Sequence, residues 1–120
     1  MARPVPLPAA LGAAAAFALL RWAAGRRGCQ PPGLILILVS PVIEEMIYRG
    51  ILYRSLKPET GRAAAGISAL LFALGHRGWA RMGLSLLFGL GAAWITERTG
   101  RLRGAVLAHI GWNLIWFLMQ

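Results

Sequence analysis

Two adjacent glutamates, Glu44 and Glu45, follow a largely apolar run from Gly33 to Ile43, and they are half of the four acidic residues in the chain. An ionised carboxylate near the middle of a bilayer costs at least about 2–3 kcal/mol. Two side by side cost more, because like charges repel. A chain this apolar does not need such a pair for packing, so the pair reads as a chemical site. Glu45 and Arg49 are four apart, which on a helix suits an ion pair. Glu44 lies about 140° round from Arg49 at about 100° per residue, which leaves it free to exchange a proton as a general base. The plain alternative, a structural Glu–Arg network that consumes both acids, stays open. Further along, His109 and Asn113 are also four apart in an apolar setting, Leu107-Ala-His-Ile-Gly-Trp-Asn-Leu-Ile-Trp116. An imidazole and an amide one turn apart inside such a helix are functional candidates. His76 follows Phe72 at the same spacing, with Ala65 and Ala69 on the same face.

These side chains need helices to position them. With 58% hydrophobic residues in 120, the chain is more apolar than a soluble domain requires. It shows neither strand alternation nor regular turn spacing, which argues against a β-barrel. The expected fold class is all-α, a polytopic membrane helical bundle of about five transmembrane helices. The helices are expected near Pro8–Ala24, Leu34–Leu56, Ala63–Gly75, Met82–Thr96 and Leu102–Met119. Pro31-Pro32, Gly61 and Thr99-Gly100 punctuate them, and Pro58 and Gly61 are expected in a loop. Gly83, Gly89 and Gly91 permit close helix approach, and Gly104, Ala108 and Gly111 offer a second small face. Residues 1–30 are expected to form an N-terminal transmembrane helix and loop, and residues 31–120 the helical core that carries the candidate site. A cleaved signal peptide is the rival reading of the first helix.

A net charge of +9 in a soluble protein would suggest nucleic acid. Here the basic residues fall between apolar segments, at Arg26-Arg27, Arg54 to Arg62, Arg77 to Arg81 and Arg98 to Arg103. That pattern fits interfacial anchors beside lipid headgroups, so the lipid bilayer is expected as a partner and nucleic acid is not. Cys29 is the single cysteine, which excludes an intrachain disulfide, and nothing marks it as a nucleophile.

Glu44-Glu45-Met-Ile-Tyr-Arg49 resembles the E-E-x-x-x-R motif of the CAAX protease and bacteriocin-processing (Abi) family of intramembrane proteases. Phe72-Ala-Leu-Gly-His76 is similar to its F-x-x-x-H motif, and His109-Ile-Gly-Trp-Asn113 to its H-x-x-x-N motif. Each motif alone is weak; three in order inside apolar helices are strong. The resemblance covers about Leu34 to Leu118. It implies a membrane-embedded endopeptidase in a bacterial plasma membrane, acting on a membrane-anchored or membrane-proximal peptide: a prenylated CAAX tail, a bacteriocin or a C-terminal sorting tail. In those terms Glu44 activates water, His76 binds or polarises it, and His109 and Asn113 complete the site, with Asn113 donating to the oxyanion. Glu45 and Arg49 orient the cluster, and Phe72 supports it.

Glu44, His76 and His109 could also hold a catalytic zinc. However, zinc-binding histidines usually come as a close pair on one helix, and this spacing is missing. The expectation is therefore no cofactor and no metal. Larger members of the family carry extra N-terminal helices, so a short chain is expected to complete its cavity by forming a homo-oligomer or with a helper protein. Arg101 and Arg103 add charge near the last helix, read as interfacial anchors ahead of a substrate carboxylate site. Two non-protease readings remain: a membrane scaffold or bacteriocin-immunity peptide binder of the same fold, and a proton-relay subunit.

Overall fold

The computed structural model describes residues 5–26 and 33–119, and every regular element in them is helical. Helix α1 spans Leu7–Arg26. Helix α2 is one rod, residues 35–60, made of π-helical Ile35–Val39, α-helical Ser40–Glu45, π-helical Met46–Tyr53 and α-helical Arg54–Thr60. Then come α3 (Ala63–Leu74), α4 (Trp79–Thr99) and α5 (Arg103–Leu118). The all-α expectation is met, with helix ends close to those the sequence suggests. Cys29 and the Pro31-Pro32 break lie outside the described residues.

The second helix runs past Leu56, and here the expected loop at Pro58 is corrected. Proline removes one donor but sits in the final turn of the rod. There the Thr60 hydroxyl donates to the Leu56 carbonyl at 2.9 Å. The stop comes at Gly61, whose φ of 58° is cheap only for a residue without Cβ. Helix α4 is longer than expected at both ends and closes at Gly100 in the left-handed conformation, its N–H on the Thr96 carbonyl.

The rod's mixed winding decides which side chains face inward. Glu44, Glu45, Tyr48, Arg49, Leu52 and Tyr53 are all buried, two adjacent residues every four. An α-helix would carry such a stripe forward by about 40° each repeat. The wider turns of a π-helix, closed by i→i+5 hydrogen bonds, carry it backward. Alternating the two windings holds the stripe on one face, and both carboxylates reach the interior together.

Helix α1 lies antiparallel against this stripe. Ser55 Oγ donates to the Val5 carbonyl at 2.6 Å, and Phe17 meets Tyr48 edge-on with centroids 6.3 Å apart. Ala10 and Ala14, fully or nearly buried, let the backbones approach. Helices α3 and α4 form the other wall, and α5 closes the bundle against α4 and the start of α2.

At the α3–α4 crossing, a Cβ on Gly89 would come within 3.0 Å of Ala69 Cβ, 3.1 Å of its Cα and 3.1 Å of Arg49 Nη2. The expectation for Gly89 is met; Gly83 and Gly91 have open space instead. Gly89→Ala should cost about 1–3 kcal/mol through overpacking. Gly91→Ala should stabilise by up to about 1 kcal/mol through helix propensity. Thermal unfolding of the two variants measures the contrast, and equal Tm values would show that the crossing can relax.

Among the described residues no helix is long and apolar enough to cross a membrane. Helices α3 and α5 have 12 and 16 residues, below the roughly 20 that a span needs.

Candidate active site

The six polar candidates sit on α2, α5 and the turn after α3, and the fold brings four of them into one contact cluster. Arg49 Nη1 donates to Glu45 Oε1 at 3.3 Å, with both side chains fully buried. The pair expected from their spacing is present. Arg49 Nη2 donates to the Gly89 carbonyl at 3.0 Å, and its guanidinium lies 4.7 Å from the centre of the Phe72 ring. One arginine therefore ties α2 to both α3 and α4.

His109 bridges the two carboxylates from α5. Its Nδ1 is 2.8 Å from Glu45 Oε1, and its Nε2 is 3.3 Å from Glu44 Oε2. Glu45, paired with Arg49, is an acceptor, so Nδ1 carries a proton. Nε2 and Glu44 Oε2 then face each other, and that approach is favourable only with a proton on one of them. The 3.3 Å approach is a close ionic contact and not a hydrogen bond, since Glu44 Oε2 has no hydrogen-bond partner. The His109–Glu45 contact joins residues 64 apart in the chain.

The expectation that Glu44 lacks a charge partner is overturned. Arg21 of α1 donates through Nη1 to Glu44 Oε1. Local spacing on α2 could not show this, because the partner arrives from another helix. A signal was present: Ala10, Ala14, Phe17 and Arg21 recur at helical spacing on one face of α1, and the first three pack on α2.

Phe72 is the aromatic hub. Its ring lies 5.4 Å from Tyr48, 5.5 Å from His109 and 4.9 Å from His76, centre to centre. His76 stands in the turn after α3, half-buried, with Nδ1 3.0 Å from the Phe72 carbonyl. It joins the cluster through Phe72. Asn113 is one turn beyond His109 on α5 and half-buried. Phe88, absent from the sequence reading, packs 4.9 Å from His109 and stacks on Trp112 at 5.4 Å. It packs on the imidazole from α4.

Among the described residues, three buried side-chain polar atoms have no hydrogen bond: Glu44 Oε2, Glu45 Oε2 and Arg49 Nε. Buried groups without partners are costly, and two of these are carboxylate oxygens in the cluster. The residues do not form a metal cage as arranged. Glu44 and His109 face each other, Arg21 takes the other Glu44 oxygen, and Glu45 takes the other His109 nitrogen. Among the described residues no group of three metal-ligating side chains converges.

The all-helical core thus gathers paired carboxylates, an arginine and a histidine from separate motifs into one buried cluster. The chain belongs to the type II CAAX prenyl endopeptidase Rce1-like family, whose model matches residues 30–115. It is also similar to a Bacillus subtilis (strain 168) protein described as "Putative membrane peptidase YdiL", 31% identical over 84 residues. That match covers 69% of this chain and 34% of the relative, so the chain spans about a third of its length. No solved structure matches.

Proposed function

We propose that this chain is a membrane-embedded endopeptidase that hydrolyses a peptide bond near the membrane surface without a metal. Glu44 takes a proton from water through Oε2. His109 supplies or receives the proton shared with Glu44, which is the exchange a departing amine requires. His76 positions the water, and Asn113 donates to the oxyanion. Glu45, Arg49 and Phe72 hold His109 in place. The observation that carries this reading is the His109 bridge between Glu44 and Glu45, since a merely structural Glu–Arg pair has no use for it.

A membrane setting is supported by the relative's description and by the outer surface. Leu19, Leu20, Leu34, Leu87, Leu107 and Leu118 are each 66–74% exposed, a surface that suits contact with lipid chains. We place the protein in a bacterial plasma membrane, with a prenylated CAAX tail, a bacteriocin-type peptide or a C-terminal sorting tail as substrate. A second copy or a helper protein would complete the enclosure.

One observation favours a second reading. Arg21 already occupies one oxygen of Glu44, as a non-catalytic peptide-binding scaffold would tolerate. Purified protein in liposomes, offered a farnesylated CAAX peptide with and without a chelator, separates the readings. Cleavage that survives the chelator supports the proposal, cleavage lost with it supports zinc, and binding without cleavage supports the scaffold. On the same probe, Asn113→Ala should lower kcat by on the order of a hundredfold, as loss of an oxyanion donor does. An unchanged kcat would make Asn113 a packing residue.

A further inference from the structure

Helix α1 lies wholly outside residues 30–115, the part of the chain matched to the protease family, yet it delivers a guanidinium to Glu44. The delivery is built into the helix pair. Phe17 and Arg21 are one turn apart on α1; Tyr48 and Glu44 are one turn apart on α2. The antiparallel register sets Phe17 against Tyr48 and Arg21 against Glu44. A chance surface ion pair would not share a face with a buried aromatic contact and two buried alanines.

The end of α1 is also fastened on the other side of the site. Arg77, next in sequence to His76, donates through Nη2 to the Trp22 carbonyl at 3.3 Å. Two consecutive residues of α1 therefore touch the Glu44 carboxylate and the turn that bears His76. Charge sorting points the same way. The cluster holds two carboxylates and two guanidiniums, and Arg49 is committed to Glu45, the Gly89 carbonyl and the Phe72 ring. Arg21 is the cation that answers Glu44, whose side chain is 3% exposed.

A carboxylate with two free oxygens can present either one to a reacting water, and the geometry of attack then wanders. Glu44 does not have that freedom. Oε1 accepts from Arg21, while Oε2 has no hydrogen bond and faces His109 Nε2. We propose that Arg21 is a positioning residue: by holding Glu44 Oε1 it fixes the carboxylate plane and leaves Oε2, on the His109 side, as the proton-accepting oxygen. Its geometric part stands alone; its catalytic consequence rests on the protease reading above.

The test uses the full chain in liposomes with the farnesylated CAAX peptide as probe, together with thermal unfolding in detergent. Arg21→Gln should lower kcat by about a hundredfold, the loss expected from misplacing a reacting group by roughly 1 Å, with KM changed little. Arg21→Lys should recover much of that loss, because an ammonium still supplies charge and a donor. In unfolding, Arg21→Gln should lower Tm in the wild-type background and lower it clearly less in a Glu44→Gln background, where only a neutral hydrogen bond is left to lose, the mark of direct coupling. A full kcat in Arg21→Gln overturns the proposal. So does a Tm effect that persists undiminished without the Glu44 charge, which would mean that Arg21 only packs α1. If the wild type cleaves nothing, the protease reading fails for this probe and the thermal cycle decides alone. Coupling between positions 21 and 44 then upholds the geometric assignment, and additivity removes it.

Discussion

Glu44→Gln should abolish peptide cleavage while leaving the helical bundle assembled. General-base catalysis contributes roughly 10²–10⁴-fold, and an amide cannot take a proton from water, so kcat on a lipidated CAAX peptide should fall by about 10³-fold. The fold should survive for a local reason. Glutamine keeps the side-chain length, and its carbonyl can still accept from Arg21. The guanidinium that loses its counter-charge is 34% exposed, so water can solvate it. His109 keeps its 2.8 Å contact with Glu45, and Arg49 keeps Glu45 and Gly89. Turnover with helical content and Tm recorded alongside checks this. Activity within tenfold of wild type would move the base elsewhere, and Glu45 would be the first place to look.

Arg49→Met should do the opposite, removing the fold before any chemistry can be measured. Arg49 and Glu45 are both 0% exposed, and breaking a buried pair by deleting one partner costs about 3–5 kcal/mol, since the remaining charge is left uncompensated. Methionine fills much of the volume but cannot donate to the Gly89 carbonyl, so the tie to α4 is lost as well. Denaturant or thermal unfolding should show a stability loss of that order, or no folded protein. The double variant Arg49→Met/Glu45→Gln should recover part of it, because no buried charge then stands alone. If Arg49→Met is as stable as wild type, the pair is not what joins α2 to α3 and α4. Arg21 and Arg49 thus carry the same group to neighbouring carboxylates, but with different depth and different consequences.

How much of this was legible follows from the range of each interaction. The Glu45–Arg49 pair and the His109–Asn113 spacing are local and follow from one helical turn. The helices themselves are marked by Gly61, Thr99-Gly100 and the apolar runs. The supposed freedom of Glu44 failed because its partner lies 23 residues away, on a helix whose arginine carries no local mark of a role. The π-helical stretches left no mark that periodicity at 100° per residue could detect. That periodicity separates Glu44 from the face of Arg49, whereas the mixed winding buries both. Phe88 and the Gly89 carbonyl were invisible for another reason: an apolar side chain and a backbone oxygen acquire a role only from what the fold sets beside them.

The antiparallel register of α1 and α2 also constrains how this chain can diverge. Phe17 faces Tyr48 and Arg21 faces Glu44, so the two residue numbers in each rung add to the same total. Inserting or deleting one residue between Phe17 and Arg21, or between Glu44 and Tyr48, spoils one rung whenever the other is kept. Only a matched change of length in both helices restores the two together. The N-terminal helix and the carboxylate-bearing helix are therefore bound to one another as heredity sees them, a lock and key cut from the same strip and copied as a set.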